Sequence, residues 1–237
     1  MDFYQRLSAY YDEIFAVDEG EMRFVKACLS GLTRLLDIGC GTGNKTVLLT
    51  EAGRDITGID QDAAMIELAR QRHAGPGLSY EVLDMLDIGR AFRPGQFDGA
   101  LCLGNTLVHL QSPAAIGGFL AMTRKLLAGG YRCVIQILNY DRILDRKISE
   151  LPPLSTPRAD FARSYKKQGE LLLFETNLKI RESGQSIKNA IPLYPLRRAE
   201  LEALLRQAGF GRADYYGSYQ GAAHEPDSFV TIAVCGN

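Results

Sequence analysis

Apolar residues in this chain come in short unbroken blocks, separated by stretches with helical spacing. TRLLDIG (33–39) is a short apolar run ending in glycine, the pattern of a buried strand in a parallel sheet. DITGID (55–60), LSYEVLDM (78–85), FDGALCLG (97–104) and YRCVIQILN (131–139) read as the second to fifth strands. Between these blocks, NKTVLLTEAG (44–53) reads as a helix stopped by Gly53, and AAMIELARQR (63–72) as a helix with Asp62 at its N-cap. AIGGFLAMTRKLL (115–127) reads as a third, ending at the Gly129–Gly130 pair. Upstream, Phe24, Val25, Ala27, Cys28 and Leu29 recur at helical period before Ser30 and Gly31. Strands alternating with helices predict an α/β fold with a parallel sheet covered on both faces.

The style changes at ELPPLSTP (150–157). DFARSYKK, ELLLFETNLKI and SIKNAIPLY, separated by Gln-Gly and Ser-Gly turns, predict a small antiparallel meander inserted after the fifth strand. RRAELEALLRQAG (197–209) predicts a helix capped by Gly209, and GRADYYGSY with DSFVTIAVC an antiparallel hairpin at the sheet edge.

Composition narrows the classes. The chain has 237 residues, 46% hydrophobic and 23% charged, which suits one globular domain with an elaboration. Lys plus Arg (27) nearly balances Asp plus Glu (28), so no basic field for nucleic acid is expected. No membrane span or signal peptide is visible. Five scattered cysteines with no C-x-x-C pair suggest neither a disulfide framework nor a zinc site, and fit a reducing, cytoplasmic compartment.

In an open α/β sheet, ligands bind beyond the carboxyl ends of the strands. LLDIGCGTGNKT (35–46) lies at such an end, with Gly39, Gly41 and Gly43 at alternate positions after Asp37. Glycine there permits positive φ and a close ligand approach, and the helix expected after it offers free N–H groups. Glycine turns also join strands to helices without any ligand. Asp60, however, ends the next strand 21 residues beyond Gly39, the place for a carboxylate that accepts hydrogen bonds from a ribose diol. The two features in register favour a nucleoside-containing ligand. A dinucleotide fingerprint places its third glycine five residues after the first; here the interval is four, which argues against NAD.

DIGCGTG, then ITGID, EVLDM and FDGALCLGN closely resemble the successive motifs of class I S-adenosylmethionine-dependent methyltransferases, over about residues 33–139. The resemblance implies a Rossmann-like fold: a mostly parallel seven-stranded sheet with an antiparallel edge strand, carrying the small antiparallel insertion. It divides the single domain into an N-terminal helical lid region (1–32), a cofactor-binding βαβ core (33–139), an inserted meander on the acceptor side (150–195), and a C-terminal helix with edge hairpin (196–237). It also implies that Gly39, Gly41 and Gly43 line the methionine part of the cofactor and that Asp37 anchors the loop near its amino group. Asp60, with Gln61 beside it, would bind the ribose hydroxyls, Asp84 and Met85 would flank the adenine, and Tyr11 would close over the cofactor.

CLGNTLVHL (102–110) and LNYDRIL (138–144) further resemble the glycine and sarcosine N-methyltransferase group, whose stretches are of the kind C-L-G-N-S-x-x-H-L and R-N-Y-D-x-I-L. Carried over, Leu103 and Gly104 face the cofactor, Asn105 and His109 sit where acceptor and cofactor meet, and Tyr140 lies beside the transferring methyl. The arginine that holds the substrate carboxylate in that group corresponds to Leu138, which can form no bidentate clamp. Arg142 and Arg146 are nearby candidates to replace it.

The expected chemistry is in-line methyl transfer to a small-molecule acceptor, an amine by preference, with no metal. His109 is the candidate base, His224 a weaker one, and His73 a helix-end residue. Cys40 and Cys102 read as packing residues. Two other readings compete: a nicotinamide-dependent oxidoreductase, which predicts dinucleotide binding, and a non-catalytic module, which predicts cofactor binding without turnover.

Overall fold

The structure, a computed structural model, describes residues 3–236. Its centre is a seven-stranded sheet built from β1 (Arg34–Ile38), β2 (Asp55–Asp60), β3 (Leu78–Val82), β4 (Phe97–Cys102), β5 (Leu127–Leu138), β10 (Arg212–Tyr216) and β11 (Val230–Gly236). The spatial order is β10-β11-β5-β4-β1-β2-β3. Neighbours among β1 to β5 pair in parallel. β11 runs antiparallel between β5 and β10, so the predicted hairpin completes one side of the sheet.

The apolar blocks form strands because both their faces are covered. Leu36, Ile38, Ala100, Cys102 and Ile135 point into one core, closed by Ile116, Phe119 and Leu120 of α5 (Pro113–Leu126) and Leu201 and Leu205 of α7 (Arg198–Gln207). Leu35, Leu101 and Val134 point the other way, onto Met22 and Val25 of α2 (Glu19–Cys28). Burying each such side chain stabilises the fold by about 1.5–3 kcal/mol. α3 (Ala63–Arg72) has the predicted bounds, and Asp62 accepts from the N–H groups of Ala64 and Met65 as its N-cap. No helix among the described residues is long and apolar enough to cross a membrane.

One predicted helix does not form. Residues 44–53 hold only a 3-10 turn, Thr46–Leu49, so no helix dipole follows the glycine loop. The guanidinium of Arg54, 4% exposed, ends the turn by donating to the carbonyls of Leu49 at 2.7 Å, Leu32 at 3.0 Å and Leu29 at 3.3 Å. Thr46 spends its hydroxyl on Asp37. Smaller differences have local causes. α5 starts at Pro113, which needs no N–H at the first helical position, with Ser112 as N-cap. β5 starts at Leu127 and carries Gly129 and Gly130 in an irregularity of its pairing with β4. β3 stops at Val82, and residues 140–145 form a short helix, α6 (Tyr140–Asp145), that the sequence pattern does not announce.

The insertion is a four-stranded antiparallel sheet: β6 (Glu150–Ser155), β7 (Ala159–Gln168), β8 (Leu171–Ile180) and β9 (Ser186–Leu193). The proline stretch thus supplies its edge strand, where missing N–H groups are tolerated. α1 (Phe3–Ile14) lies against this sheet: Leu7 and Ile14 pack with Ala159, Phe161 and Leu178.

Candidate active site

The order of the strands reverses between β1 and β4, the switch point at which open α/β sheets bind ligands. At the end of β1 the chain folds back onto β2. The N–H groups of Gly39 and Cys40 both donate to the Ile59 carbonyl, at 2.8 and 2.9 Å. Gly41 donates to Oδ2 of Asp60 at 3.0 Å, and Asp62 to its Oδ1 at 2.9 Å. Asp60 therefore fixes the loop through one oxygen and its own strand end through the other. Burial raises its pKa, opposed by these backbone hydrogen bonds.

Two of the glycines are required by contact as well as by conformation. At Gly39 (φ +73°) a Cβ would lie 2.5 Å from the Thr106 methyl, and at Gly43 (φ +74°) 2.8 Å from the Tyr80 ring. Behind the loop, Asp37 is 4% exposed and accepts from the Thr46 hydroxyl at 2.6 Å. Burial pushes its pKa up to about 6, with Thr46 and Lys45 opposing and Asp60 and Glu21 adding. Lys45 donates to Glu21 at 2.6 Å, and Tyr219 to the same carboxylate oxygen at 3.1 Å.

α1 closes over this loop. The Tyr11 ring lies about 3.5 Å from where a Cβ of Gly41 would stand. Asp12 accepts from the Thr42 hydroxyl and, at 2.6 Å, from Arg72 of α3. Glu13 pairs with Arg158 of the inserted sheet at 2.6 Å. The helix thus ties the glycine loop, α3 and the insertion together.

The end of β4 makes the opposite wall. Asn105 is held in the left-handed region (φ +67°), uncommon for a side-chain-bearing residue. Its Oδ1 accepts from the Leu138 N–H at 3.0 Å, and its Nδ2 donates to the Tyr140 hydroxyl at 3.0 Å. Gln136, which sequence reasoning passed over, accepts from the Gly104 N–H at 2.8 Å. Tyr140 is fully buried, and burial raises its pKa, so the phenol stays neutral. Thr106 joins the two walls: it follows Asn105 and packs over Gly39. His109 ends the 3-10 turn Thr106–His109; burial lowers its pKa, and its ring makes no hydrogen bond among the described residues.

Other expected residues stand further out. Leu103 turns its side chain into the second core, while Gly104 is exposed. Gln61 and Asp84 are exposed; Asp84 accepts from the Leu86 N–H at 2.9 Å, and Met85 is half-buried against the first core. His224 bonds Thr231 at 2.9 Å, and His73 ends α3. Cys40 and Cys102 are buried, and burial raises both thiols, which therefore stay protonated. Of the two arginines near Leu138, Arg146 is engaged elsewhere. Arg142 lies over the Phe229 ring, and Arg146 forms a two-bond pair with Asp227 at 3.0 and 2.9 Å. Asn139, also missed, is fully buried. It caps α6 and donates to the carbonyls of Pro226 at 3.0 Å and Ser228 at 2.9 Å, pinning the loop before β11.

The family described as "Methyltransferase domain" matches residues 35–130. Over 232 residues the chain is 27% identical to a glycine/sarcosine N-methyltransferase from Halorhodospira halochloris, covering 92% of this chain and 81% of that protein. An S-adenosylmethionine-dependent methyltransferase from Clostridium acetobutylicum superposes with a TM-score of 0.82 over 99% of both chains, at 15% identity. CalS10, an amino pentose methyltransferase from Micromonospora echinaspora solved with S-adenosylmethionine bound, superposes at 0.66 over 98% of this chain and 92% of its own, at 23% identity. At these identities the structural likeness is one of fold.

Proposed function

This chain is an S-adenosylmethionine-dependent methyltransferase, and we propose that it methylates the nitrogen of a small amine. The observation that carries the choice of acceptor is the Asn105 amide. It is fixed by the Leu138 N–H and the Tyr140 hydroxyl, and it adjoins the residue that packs on the glycine loop. A fixed amide beside a neutral phenol offers hydrogen bonds that orient an amine without adding a charge. Relatives matched over 81% of their length are named as glycine/sarcosine N-methyltransferases, which supports the reading.

The residues present suit the cofactor. The loop after β1 keeps its backbone bare where a Cβ would collide, and a buried carboxylate, Asp37, and a half-buried one, Asp60, stand at the ends of β1 and β2. Gly39, Gly41 and Gly43 would hold the methionine part with Asp37 near its ammonium, Asp60 and Gln61 the ribose hydroxyls, and Asp84 and Met85 the adenine. Leu103 and Gly104 would supply main chain beside it. When bound, the cofactor supplies an electrophilic methyl on a sulfonium. The chain then has to exclude water, hold the nucleophile in line, and accept a proton. Alignment at about 3–3.5 Å contributes up to roughly 7–11 kcal/mol. α1, with Tyr11 over Gly41, excludes water, while Asn105 and Tyr140 orient the nitrogen. His109, its pKa lowered by burial, is unprotonated at neutral pH and accepts the proton the amine loses. The reaction is assigned to the cytoplasm and to small molecules rather than nucleic acid, consistent with the balanced charge.

Calorimetric titration with S-adenosylmethionine, S-adenosylhomocysteine and NADH tests the cofactor; assay of S-adenosylhomocysteine release over amine and hydroxyl acceptors tests the chemistry. Micromolar binding of the first two ligands alone, with turnover of amines, is expected. Binding of NADH alone would overturn the cofactor assignment. Turnover confined to hydroxyl acceptors would overturn the nitrogen, and cofactor binding with no turnover of any acceptor would mean a non-catalytic module.

A further inference from the structure

Residues opposite one another in antiparallel strands share a face. In the inserted sheet, Phe161, Leu178 and Ile187 form one cross-strand row, and Tyr165, Phe174 and Ile191 another. The first row packs on α1, whose Tyr11 covers Gly41. The second belongs to the core that contains Tyr140, and Tyr165 lies close enough to Tyr140 to add to the rise that burial gives the Tyr140 pKa. Between these rows runs a polar one: Arg163, Thr176 and Asn189. It therefore lies between the row that packs on α1 and the row that joins the core containing Tyr140.

Buried polar atoms of this row and of the adjoining Tyr165 lack partners. Thr176 is 5% exposed and Tyr165 7%, yet neither hydroxyl has a hydrogen-bond partner. Arg163 bonds the Pro152 carbonyl through Nη2 at 2.7 Å, but its buried Nε has no partner. Among the described residues Arg163 forms no ion pair, whereas Arg158 and Arg181 on the same insertion are paired with Glu13 and Asp160. A half-buried guanidinium without a counter-ion, between two unsatisfied hydroxyls, is costly unless a ligand completes it.

We propose that Arg163, with the Thr176 and Tyr165 hydroxyls, holds an oxyanion of the acceptor, a carboxylate or a phosphate, and so presents its amine to Asn105 and Tyr140. This rests on the methyltransferase reading above. It places the anion-binding function on the insertion, in compensation for Leu138. Same-face positions along a strand are about 7 Å apart, so the anion and the nitrogen of the acceptor are separated by only a few bonds.

The test titrates sarcosine, β-alanine, O-phosphoethanolamine and neutral ethanolamine into protein loaded with S-adenosylhomocysteine, for the wild type and for Arg163→Gln, Arg163→Lys and Thr176→Val. At least one anionic amine is expected to bind about tenfold or more tightly than ethanolamine. Arg163→Gln should erase that preference while leaving S-adenosylhomocysteine affinity unchanged. Arg163→Lys should rescue a phosphate better than a carboxylate, because only the fork matches a carboxylate at two points. Which anionic probe wins separates the two oxyanions. Ethanolamine binding as tightly as every anionic probe, no anionic probe binding at about 10 mM, or an unchanged preference in Arg163→Gln would overturn the proposal. Failure of the wild type to bind S-adenosylhomocysteine would instead overturn the methyltransferase reading beneath it.

Discussion

Asp37→Asn should make the protein more resistant to unfolding at neutral pH and a poorer binder of its cofactor. Asp37 sits at the buried end of β1, and its pKa is raised from 3.8 to about 6, chiefly by burial. The folded state thus holds this proton more tightly than the unfolded chain. Below about pH 4 both states are protonated and the site carries no penalty. As pH rises through 6 both states ionise, and the folded state bears the full penalty of a buried charge. Two pKa units correspond to about 3 kcal/mol. Asparagine keeps an oxygen for the Thr46 hydroxyl but brings an NH₂ that costs about 1–3 kcal/mol if unpartnered. The absolute stability change is therefore a smaller gain than 3 kcal/mol; the pH dependence is the cleaner quantity.

Urea unfolding of both proteins from pH 4 to pH 7.5 measures it. The variant's stability relative to wild type should rise by about 3 kcal/mol across that range. Asp60, whose pKa is also raised, and His109, whose shift has the opposite sign, are present in both proteins and largely cancel. Over the same range, S-adenosylmethionine should bind the variant about tenfold or more weakly at pH 7.5. It should also bind the wild type progressively less well below pH 6, where Asp37 takes up its proton. A stability difference independent of pH would refute the assignment of a buried, ionised carboxylate. A pH-dependent difference with unchanged cofactor affinity would leave Asp37 a structural residue.

Asp60→Ala removes the acceptor for two backbone N–H groups as well as the proposed ribose contact, so S-adenosylmethionine affinity should fall about 100-fold by calorimetry; near-normal affinity would exclude the ribose role. His109→Ala should lower kcat with little change in cofactor affinity. Because burial lowers the wild-type pKa, the acid limb of the rate profile should lie below pH 6.5 and disappear in the variant. Asn139→Ala should destabilise the protein by about 2 kcal/mol or more in thermal or urea unfolding, since it strands the α6 cap and the carbonyls of the loop before β11.

What the sequence makes legible follows from how far apart cooperating residues lie along the chain. Leu35 to Ile38 and Ala100 to Cys102 are buried on both faces, so their strands are plain from an unbroken apolar run. The glycine loop and Asp60 are legible because one directly follows its strand and the other ends its own, and strand pairing brings them together without any further contact having to be guessed. Residues 44–53 misled because their apolar spacing says nothing of Arg54, whose guanidinium ties the Leu49 carbonyl at the end of the turn to those of Leu29 and Leu32 from the segment before β1. Gln136 and Asn139 look like ordinary polar residues until β4 and the loop before β11 are laid beside them.

The insertion shows the same limit in its sharpest form. Alternation in ADFARSYKKQ identifies a strand with two unlike faces, and a lone arginine there is most simply read as solvated. Its partial burial depends on Leu151 and Thr176 arriving opposite it on either side, which is a matter of register between strands joined by turns of different length. The cofactor side of such an enzyme is written in contiguous motifs because one loop meets one invariant ligand. The acceptor side is assembled across strands, where a single position such as Leu138 can lose a charge and another, such as Arg163, can restore it from a different element without leaving any local trace. A family resemblance carried residue by residue therefore transfers the cofactor with more force than the acceptor, and the register of the inserted sheet is the feature on which the proposed anion site depends.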